Sequence, residues 1–417
     1  MLNKQYAMTA HGCIRSKSVR VLQHLHILDS NACKDLRIVA RKASSFVPKR
    51  VLIVSKLSRY GFEKLRDPSL NEEQLKLQVE SRGADYHAML QSHQATKLIE
   101  NDVVNNLKKL SVEYRVVDRS KLDKTNFDWA DLILPIGGDG TFLLASNVIF
   151  NNQKPILGIN SYPGMSEGFL MLQPKYTKNI AEIFEKLRAG HYGIVMRTRI
   201  RTTLIGDNIW NGSFHINEKA RIAGGDRYYD YHNSEEGTRP KQRRLPWLAL
   251  NEVYMGESLS ARTSTLLIKL DNNEQSYRIR SSGICVCTGT GSTSWVRSMN
   301  IVTPQTVREI LALANTNKHF SDDEVGHICD TFNQNLQFNP EESKICYSVR
   351  DMIVMSVWPS PKGISPRAHC EKITVKSNCY DAGLVLDGGI SIPFTYGTTA
   401  VLETYPEDAL RTITLPD

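Results

Sequence analysis

At 417 residues the chain is long for one domain and implies two or three folding units with room for buried cores. Hydrophobic residues at 41% and charged residues at 23% are those of a globular chain and exclude a disordered or fibrous one. No run of about 18 apolar residues is present, so no segment is expected to span a bilayer.

The formal charge of +8 is unevenly placed. Residues 1–50 hold ten of the 52 basic residues and two of the 44 acids, which leaves 42 of each sign to cancel in the rest. A neutral body gives no support to a nucleic-acid partner. In the basic segment, Val19, Val21, Leu22, Leu25 and Leu28 can form the apolar side of an amphipathic helix, with Arg15, Lys17 and Arg20 close by. That composition suits a mitochondrial transit peptide over 1–50; the alternative is a basic tail on a cytosolic protein. The eight cysteines include no C-x-x-C pair, which fits a reducing compartment and argues against a disulfide framework or a zinc site. No histidine stands at a metal-ligand spacing.

Val51-Leu52-Ile53-Val54 opens the folded part as a buried parallel strand. A helix is expected over 93–110, with Ile99, Val103, Leu107 and Leu110 on one face, followed by a short strand from Arg115. Residues 132–136 form a third strand that ends in a glycine loop, 141–150 a helix, and 155–159 a fourth strand. Ile180, Ile183, Phe184 and Leu187 mark a further helix stopped by Gly190. Strands alternating with helices predict a parallel sheet covered on both faces, an α/β domain over 51–195.

Beyond residue 196 the period becomes alternating, through 199–205, 265–270, 277–281, 284–287, 347–357 and 372–376. This predicts a mostly β domain over 196–395, with residues from about 396 able to pack back on the first. Asp271-Asn272-Asn273-Glu274 reads as a hairpin link. The polar stretch 206–244 reads as a long surface insertion. Residues 304–335, with Val307, Ile310, Leu311 and Ala314 on one face, read as a helical excursion or an interface.

The chemistry is concentrated in Gly137-Gly138-Asp139-Gly140-Thr141, at the end of the third strand. Glycines let the backbone approach closely and turn N–H groups toward phosphate oxygens, and a following helix N-terminus adds favourable partial charge. The other reading is a tight strand–helix turn capped by Asp139 and Thr141. A carboxylate in an anion loop needs its own reason: Asp139 can align an attacking hydroxyl or accept its proton.

This loop resembles those of three kinase families: lipid kinases acting on diacylglycerol or sphingosine, NAD kinases and, with serine in the last place, 6-phosphofructokinases. Leu250-Asn251-Glu252-Val253 and Thr288-Gly289-Thr290-Gly291-Ser292-Thr293-Ser294-Trp295 resemble the second and third NAD kinase signatures. Gly158-Ile159-Asn160 with Gly168-Phe169-Leu170, and the late Leu386-Asp387-Gly388-Gly389, are similar to further segments of that family. The likeness runs in order over 51–417. The spacing from Asn160 to Gly168, the Gly-Thr-Gly-Ser turn and the helical insertion resemble the mitochondrial branch. Where many members have Asp-Gly before the third signature this chain has Ser282-Gly283, and Gly289 and Trp295 replace their Pro and Tyr.

The resemblance implies an ATP-dependent kinase of a Rossmann-like, phosphofructokinase-like fold that phosphorylates the 2′-hydroxyl of the adenosine ribose of NAD to give NADP. It implies Asp139 as catalytic residue, Gly138, Gly140 and Thr141 on donor phosphates bridged by Mg²⁺, and no metal site made by the protein alone. Asn251 would pair with adenine, Glu252 would hold ribose hydroxyls, and Thr290, Thr293 and Ser294 would place the acceptor. Asn160 and Phe169 are also expected at the nucleotide site. It further implies a homodimer, small-molecule partners only and no membrane; rival readings are a lipid kinase and a non-catalytic dinucleotide sensor.

Overall fold

A computed structural model describes residues 44–416 except 120–121, 123, 165–167, 208, 211–213, 216–240, 315–318 and 355–363. Most of the basic N-terminal segment and of the polar stretch 206–244 therefore lies outside the described residues.

Strand β1 (Arg50–Ser55) pairs in parallel with β2 (Glu113–Val117) on one side and β3 (Leu132–Gly137) on the other, and β3 pairs with β4 (Ile159–Asn160). The sheet order is β2-β1-β3-β4. Every residue of β3 is buried, as a strand covered on both faces requires. The period of two divides the sheet cleanly. Val51, Ile53, Leu132 and Leu134 face Val103 and Leu107 of helix α3 (Tyr86–Lys109) and Ile183 and Leu187 of a later helix, Ile180–Arg188. Leu52, Val54 and Ile133 face Phe142 and Ala145, together with Leu250 and Leu410 from far along the chain.

The alternating segments form two antiparallel sheets. The six-stranded sheet runs, in space, Ser276–Ser281, Ser264–Leu270, Lys372–Ser377, Thr399–Thr404, Ile200–Ile205 and Gln242–Ala249. The seven-stranded sheet runs Arg367–Cys370, Ile345–Arg350, Gly283–Cys287, Glu252–Glu257, Ala382–Leu386, Ile390–Pro393 and Phe214–His215. One core joins them, with Leu204, Leu266, Ile268, Val375 and Leu402 meeting Val253, Met255, Val286, Tyr347 and Leu384. Asp271 sits in the left-handed region in the hairpin between the strands Ser264–Leu270 and Ser276–Ser281.

Two segments tie the halves together. The final strand Leu410–Thr414 pairs with Gly193–Arg197 and bridges to Ile156, which in turn bridges to Ile133 of β3. The Arg199 guanidinium, fully buried, donates to the carbonyls of Ser146, Ile149 and Asp408. Burial holds it down to about 10, so it stays a cation at neutral pH.

Some boundaries differ from those the sequence suggests. The helix expected over 141–150 is α5 (Asp139–Ser146), two residues earlier, because Gly138 in extended conformation can serve as its N-cap. The strand expected over 155–159 is divided into an isolated bridge at Ile156 and β4. The strand expected over 347–357 is Ile345–Arg350, ending where Asp351 turns left-handed. The excursion is two helices, Pro304–Leu313 and Asp322–Gln334, that pack through Val307, Val325 and Cys329. Ile310 lies on the outer side, 58% exposed, since the second helix covers only the Val307 side.

Candidate active site

The end of β3 and the start of α5 make one wall of the site. A Cβ on Gly137 would lie 2.3 Å from Thr141 Oγ1, so only glycine lets the Thr141 side chain fold back over the strand end. A Cβ on Gly140 would meet nothing within 4 Å, which leaves the first turn of α5 open. Asp139, at the first helical position, has its carboxylate fixed from the next loop: Phe169 N–H donates at 3.1 Å and Leu170 N–H at 3.0 Å. Gly168 makes that approach possible in a left-handed conformation, with φ of 65°. Each bond takes a different carboxylate oxygen, so the group is oriented.

Gly138, Asp139, Gly140 and Thr141 line a cavity of about 570 Å³, shared with Lys56 and Arg119 on one side and Asp387-Gly388-Gly389 on the other. Asp387 is the hinge of the arrangement. Held in the left-handed region, it accepts the N–H groups of Leu250, Asn251 and Glu252 at 2.8, 2.7 and 3.1 Å. One half-buried carboxylate thus fixes the backbone of the second signature against the loop that faces Asp139. Burial pushes Asp387 up to about 6 despite those donors. Glu252 is pushed up to about 8, chiefly by burial and then by the charge of Asp387, and its buried Oε2 has no hydrogen-bond partner among the described residues.

The third signature lies against the second. Asn251 Nδ2 donates to Ser294 Oγ at 3.5 Å, and the Thr288 hydroxyl donates to the Leu250 carbonyl. A Cβ on Gly291 would fall 2.1 Å from the Asn251 carbonyl oxygen, so the turn can sit there only with glycine. Thr290 is buried and accepts from Arg197 Nη1 at 3.2 Å. The Arg197 guanidinium, held down to about 10 by burial and supported by the charges of Asp139 and Glu341, links the hydroxyl-rich turn to the Asp139 side. Its Nε is buried without a partner among the described residues.

Two of the three departures from the family pattern, Gly289 and Trp295, have local reasons. A side chain at Gly289 would meet the Asn339 carbonyl oxygen at 2.1 Å, so proline has no room there once the helical excursion returns past this point. Trp295 packs on Tyr254, ring centroids 4.9 Å apart, and the Tyr254 hydroxyl donates to the Ser282 carbonyl at 2.6 Å. Ser282 is thus tied in through its backbone.

Asp139, Gly138, Gly140 and Thr141 share one cavity, while Asn251, Glu252, Thr290 and Ser294 form a contiguous group joined to it through Asp387 and Arg197. Thr293 is half-buried on the same turn and donates to the Thr290 carbonyl. Asn160 is buried at the end of β4, where its Oδ1 accepts from Tyr162 N–H and its carbonyl from the Thr177 hydroxyl; it does not line the cavity. Phe169 acts on Asp139 through its backbone, its ring being 59% exposed. Lys56, Arg197 and the anchoring role of Asp387 escaped the sequence reading, and only Asp387, beside two glycines in a late motif, left a signal there.

Residues 57–192 match the family model described as the ATP-NAD kinase N-terminal domain. The chain is 35% identical over 390 residues to "NAD kinase 2, mitochondrial" of Homo sapiens, covering 90% of this chain and 86% of that protein. The protein of the same name from Xenopus tropicalis is 33% identical over 411 residues, covering 92% and 94%. A solved NAD kinase from Archaeoglobus fulgidus, in complex with ATP, aligns at 17% identity with a TM-score of 0.46, covering 88% of this chain and 93% of that one.

Proposed function

The chain belongs to the NAD kinase family, and from that premise we propose that it transfers the γ-phosphoryl group of ATP to the 2′-hydroxyl of the adenosine ribose of NAD, giving NADP. The observation that carries this reading is the Asp387 anchor. It fixes the Asn251-Glu252 backbone beside a cavity whose opposite wall is the Asp139 turn. Similarity to an NAD kinase over 90% of the chain sets aside the lipid-kinase alternative.

Phosphoryl transfer depends mainly on positioning and charge stabilisation. Asp139 aligns the attacking hydroxyl and takes up its proton, its orientation set by Phe169 and Leu170 N–H. The open first turn of α5 offers backbone N–H groups to the donor's phosphates, beside Gly138, Gly140 and Thr141. Lys56 and Arg119 line the same cavity with positive charge. Asn251, Thr290, Thr293 and Ser294 supply amide and hydroxyl partners for the acceptor. Glu252 Oε2, buried without a partner, is the atom a ribose hydroxyl would satisfy. Asn160 and Phe169 belong to this proposal as supports of the Asp139 loop.

The donor set fits Mg²⁺ in the form in which phosphates supply most of the coordination. Asp387 is occupied by three N–H donors, so Asp139, which lines the same cavity, would be the carboxylate to hold it. The ion would neutralise charge on the transferring phosphoryl group. The basic segment 1–50 is assigned as a matrix-targeting sequence, in keeping with the names of the relatives. Import of a reporter carrying it would support the assignment, and a cytosolic reporter would remove it. A homodimer is proposed from the family, and light scattering on the purified chain decides it.

The activity itself is tested by supplying purified protein with ATP, Mg²⁺ and either NAD or diacylglycerol. Phosphate appearing on NAD alone is the expected outcome; phosphorylated lipid would reverse it.

A further inference from the structure

A cavity of about 350 Å³ lies at the opposite end of β3 from the Asp139 turn and has no residue in common with the cavity there. Asp131 and Pro155, which line it, stand just ahead of β3 and of the Ile156 bridge. The length of β3 therefore separates it from Asp139 by roughly 20 Å. Its volume of about 350 Å³ falls in the roughly 300–1,000 Å³ range of pockets that take a whole small molecule.

One part of its wall is apolar. The period of two sets Arg411 and Ile413 on one side of the final strand, where Ile413 pairs directly with Ile194. These three line the cavity together with the rings of Phe46 and Tyr192, centroids 6.4 Å apart. Phe46 N–H donates to the Leu187 carbonyl and the Tyr192 hydroxyl to the Ser44 carbonyl, each at 3.0 Å, so the rings are held in place. The charged part is unbalanced. Asp131 already accepts the N–H groups of Lys49 and Arg50 at 3.1 and 3.0 Å and pairs with the Arg50 guanidinium at 3.2 Å. Neither cation on the wall has such a partner. Arg411 Nε is buried without a hydrogen-bond partner among the described residues, and the Lys154 ammonium donates to a neutral group, the Phe127 carbonyl. Burial lowers the Lys154 pKa, and the charges of Asp128 and Asp131 offset this only in part.

We propose that this cavity is a second ligand site, for a small carboxylate with an apolar body, filled independently of the nucleotides. A carboxylate at Lys154 and Arg411 supplies the counter-charge that both cations lack, and the planar guanidinium suits its two oxygens. Asn151 adds a donor: its Oδ1 is taken by the N–H groups of Gln153 and Lys154 at 3.0 and 3.1 Å, which leaves its Nδ2 for the ligand. The apolar body lies against the two rings and the Ile194–Ile413 pair, where a bare inorganic anion would gain nothing.

The test is calorimetric titration of 3-phenylpropionate into the full chain. Two further titrants divide its features: 3-phenylpropionamide keeps the shape without the charge, and inorganic phosphate keeps a charge without the apolar body. The carboxylate should bind about tenfold or more tightly than either, with a Kd that stays within about twofold when ATP or NAD is saturating. Arg411→Gln should weaken it by about tenfold or more. Should that variant not fold, Lys154→Gln, which keeps an N–H donor for the Phe127 carbonyl, is expected to weaken it by about fivefold or more. No binding of the carboxylate, equal binding of the amide or of phosphate, or a parental Kd in a folded variant overturns the proposal. Displacement by ATP or NAD overturns it too, since the ligand would then share the nucleotide site. The readout is binding alone, so it stands whether or not the chain forms NADP.

Discussion

Two carboxylates in the site, Glu252 and Asp387, are poised in a way that has a measurable consequence. Glu252 rises from an ordinary 4.5 to about 8 and Asp387 from 3.8 to about 6, in both cases because burial disfavours the charged form. Between the ordinary and the raised values the folded chain holds protons that the unfolded chain has released. The stabilising contribution is therefore complete below the ordinary values and is lost as pH rises through the raised ones. The unfolding temperature should fall between pH 4.5 and pH 8, and Glu252→Gln should flatten that fall and unfold at a higher temperature than the parent at the alkaline end. A Gln variant as pH-sensitive as the parent would contradict this account of Glu252. Asp387 has a second duty, as acceptor of three N–H groups. Asn in its place presents an amide to donors it cannot all satisfy, and urea unfolding should show a loss of about 1–3 kcal/mol.

Among the elements, the hydroxyl-rich turn and the helical excursion explain each other. The excursion returns to the body over Phe338-Asn339-Pro340, where Phe338 N–H donates to Ser292 Oγ and that hydroxyl donates to the Gly289 carbonyl at 2.6 Å. The insertion therefore braces the turn that carries Thr290 and Ser294, and this close approach accounts for glycine at position 289. Gly289→Ala should force the two segments apart at a cost of about 1–3 kcal/mol and weaken NAD more than ATP. Thermal unfolding with separate KM determinations would show it, and an Ala variant with parental stability would mean that the turn is not held there. The sequence disclosed that the 304–335 region is helical, because Val307 and Leu311 repeat at helical spacing. It could not disclose that Ile310 faces outward, since which side is covered depends on where the second helix packs.

At the scale of the whole molecule, legibility follows the range of the interactions involved. The parallel sheet was readable because β1 and β3 are continuous apolar runs, and the glycine loop because its composition is so restricted. The closure of the site was not. The Asp387–Leu250 bond joins positions 137 apart, Arg197 reaches Thr290 across 93, and Arg199 meets the Asp408 carbonyl across 209. None of these pairs has a local pattern. The start of α5 at Asp139 was missed for a related reason: an N-cap glycine has no side-chain signature, although it sets the Asp139 carboxylate on the first helical turn.

The central claim is that this carboxylate, oriented by Phe169 and Leu170 and facing the anchored Asn251-Glu252 backbone, performs the transfer. Asp139→Asn keeps the size and one acceptor oxygen but cannot take up the proton of the attacking hydroxyl. The most direct measurement is the steady-state rate of NADP formation by this variant, with NAD affinity determined on the same protein. A fall in kcat of about 10²–10⁴-fold with NAD affinity retained is the predicted result; parental turnover in Asp139→Asn would contradict it.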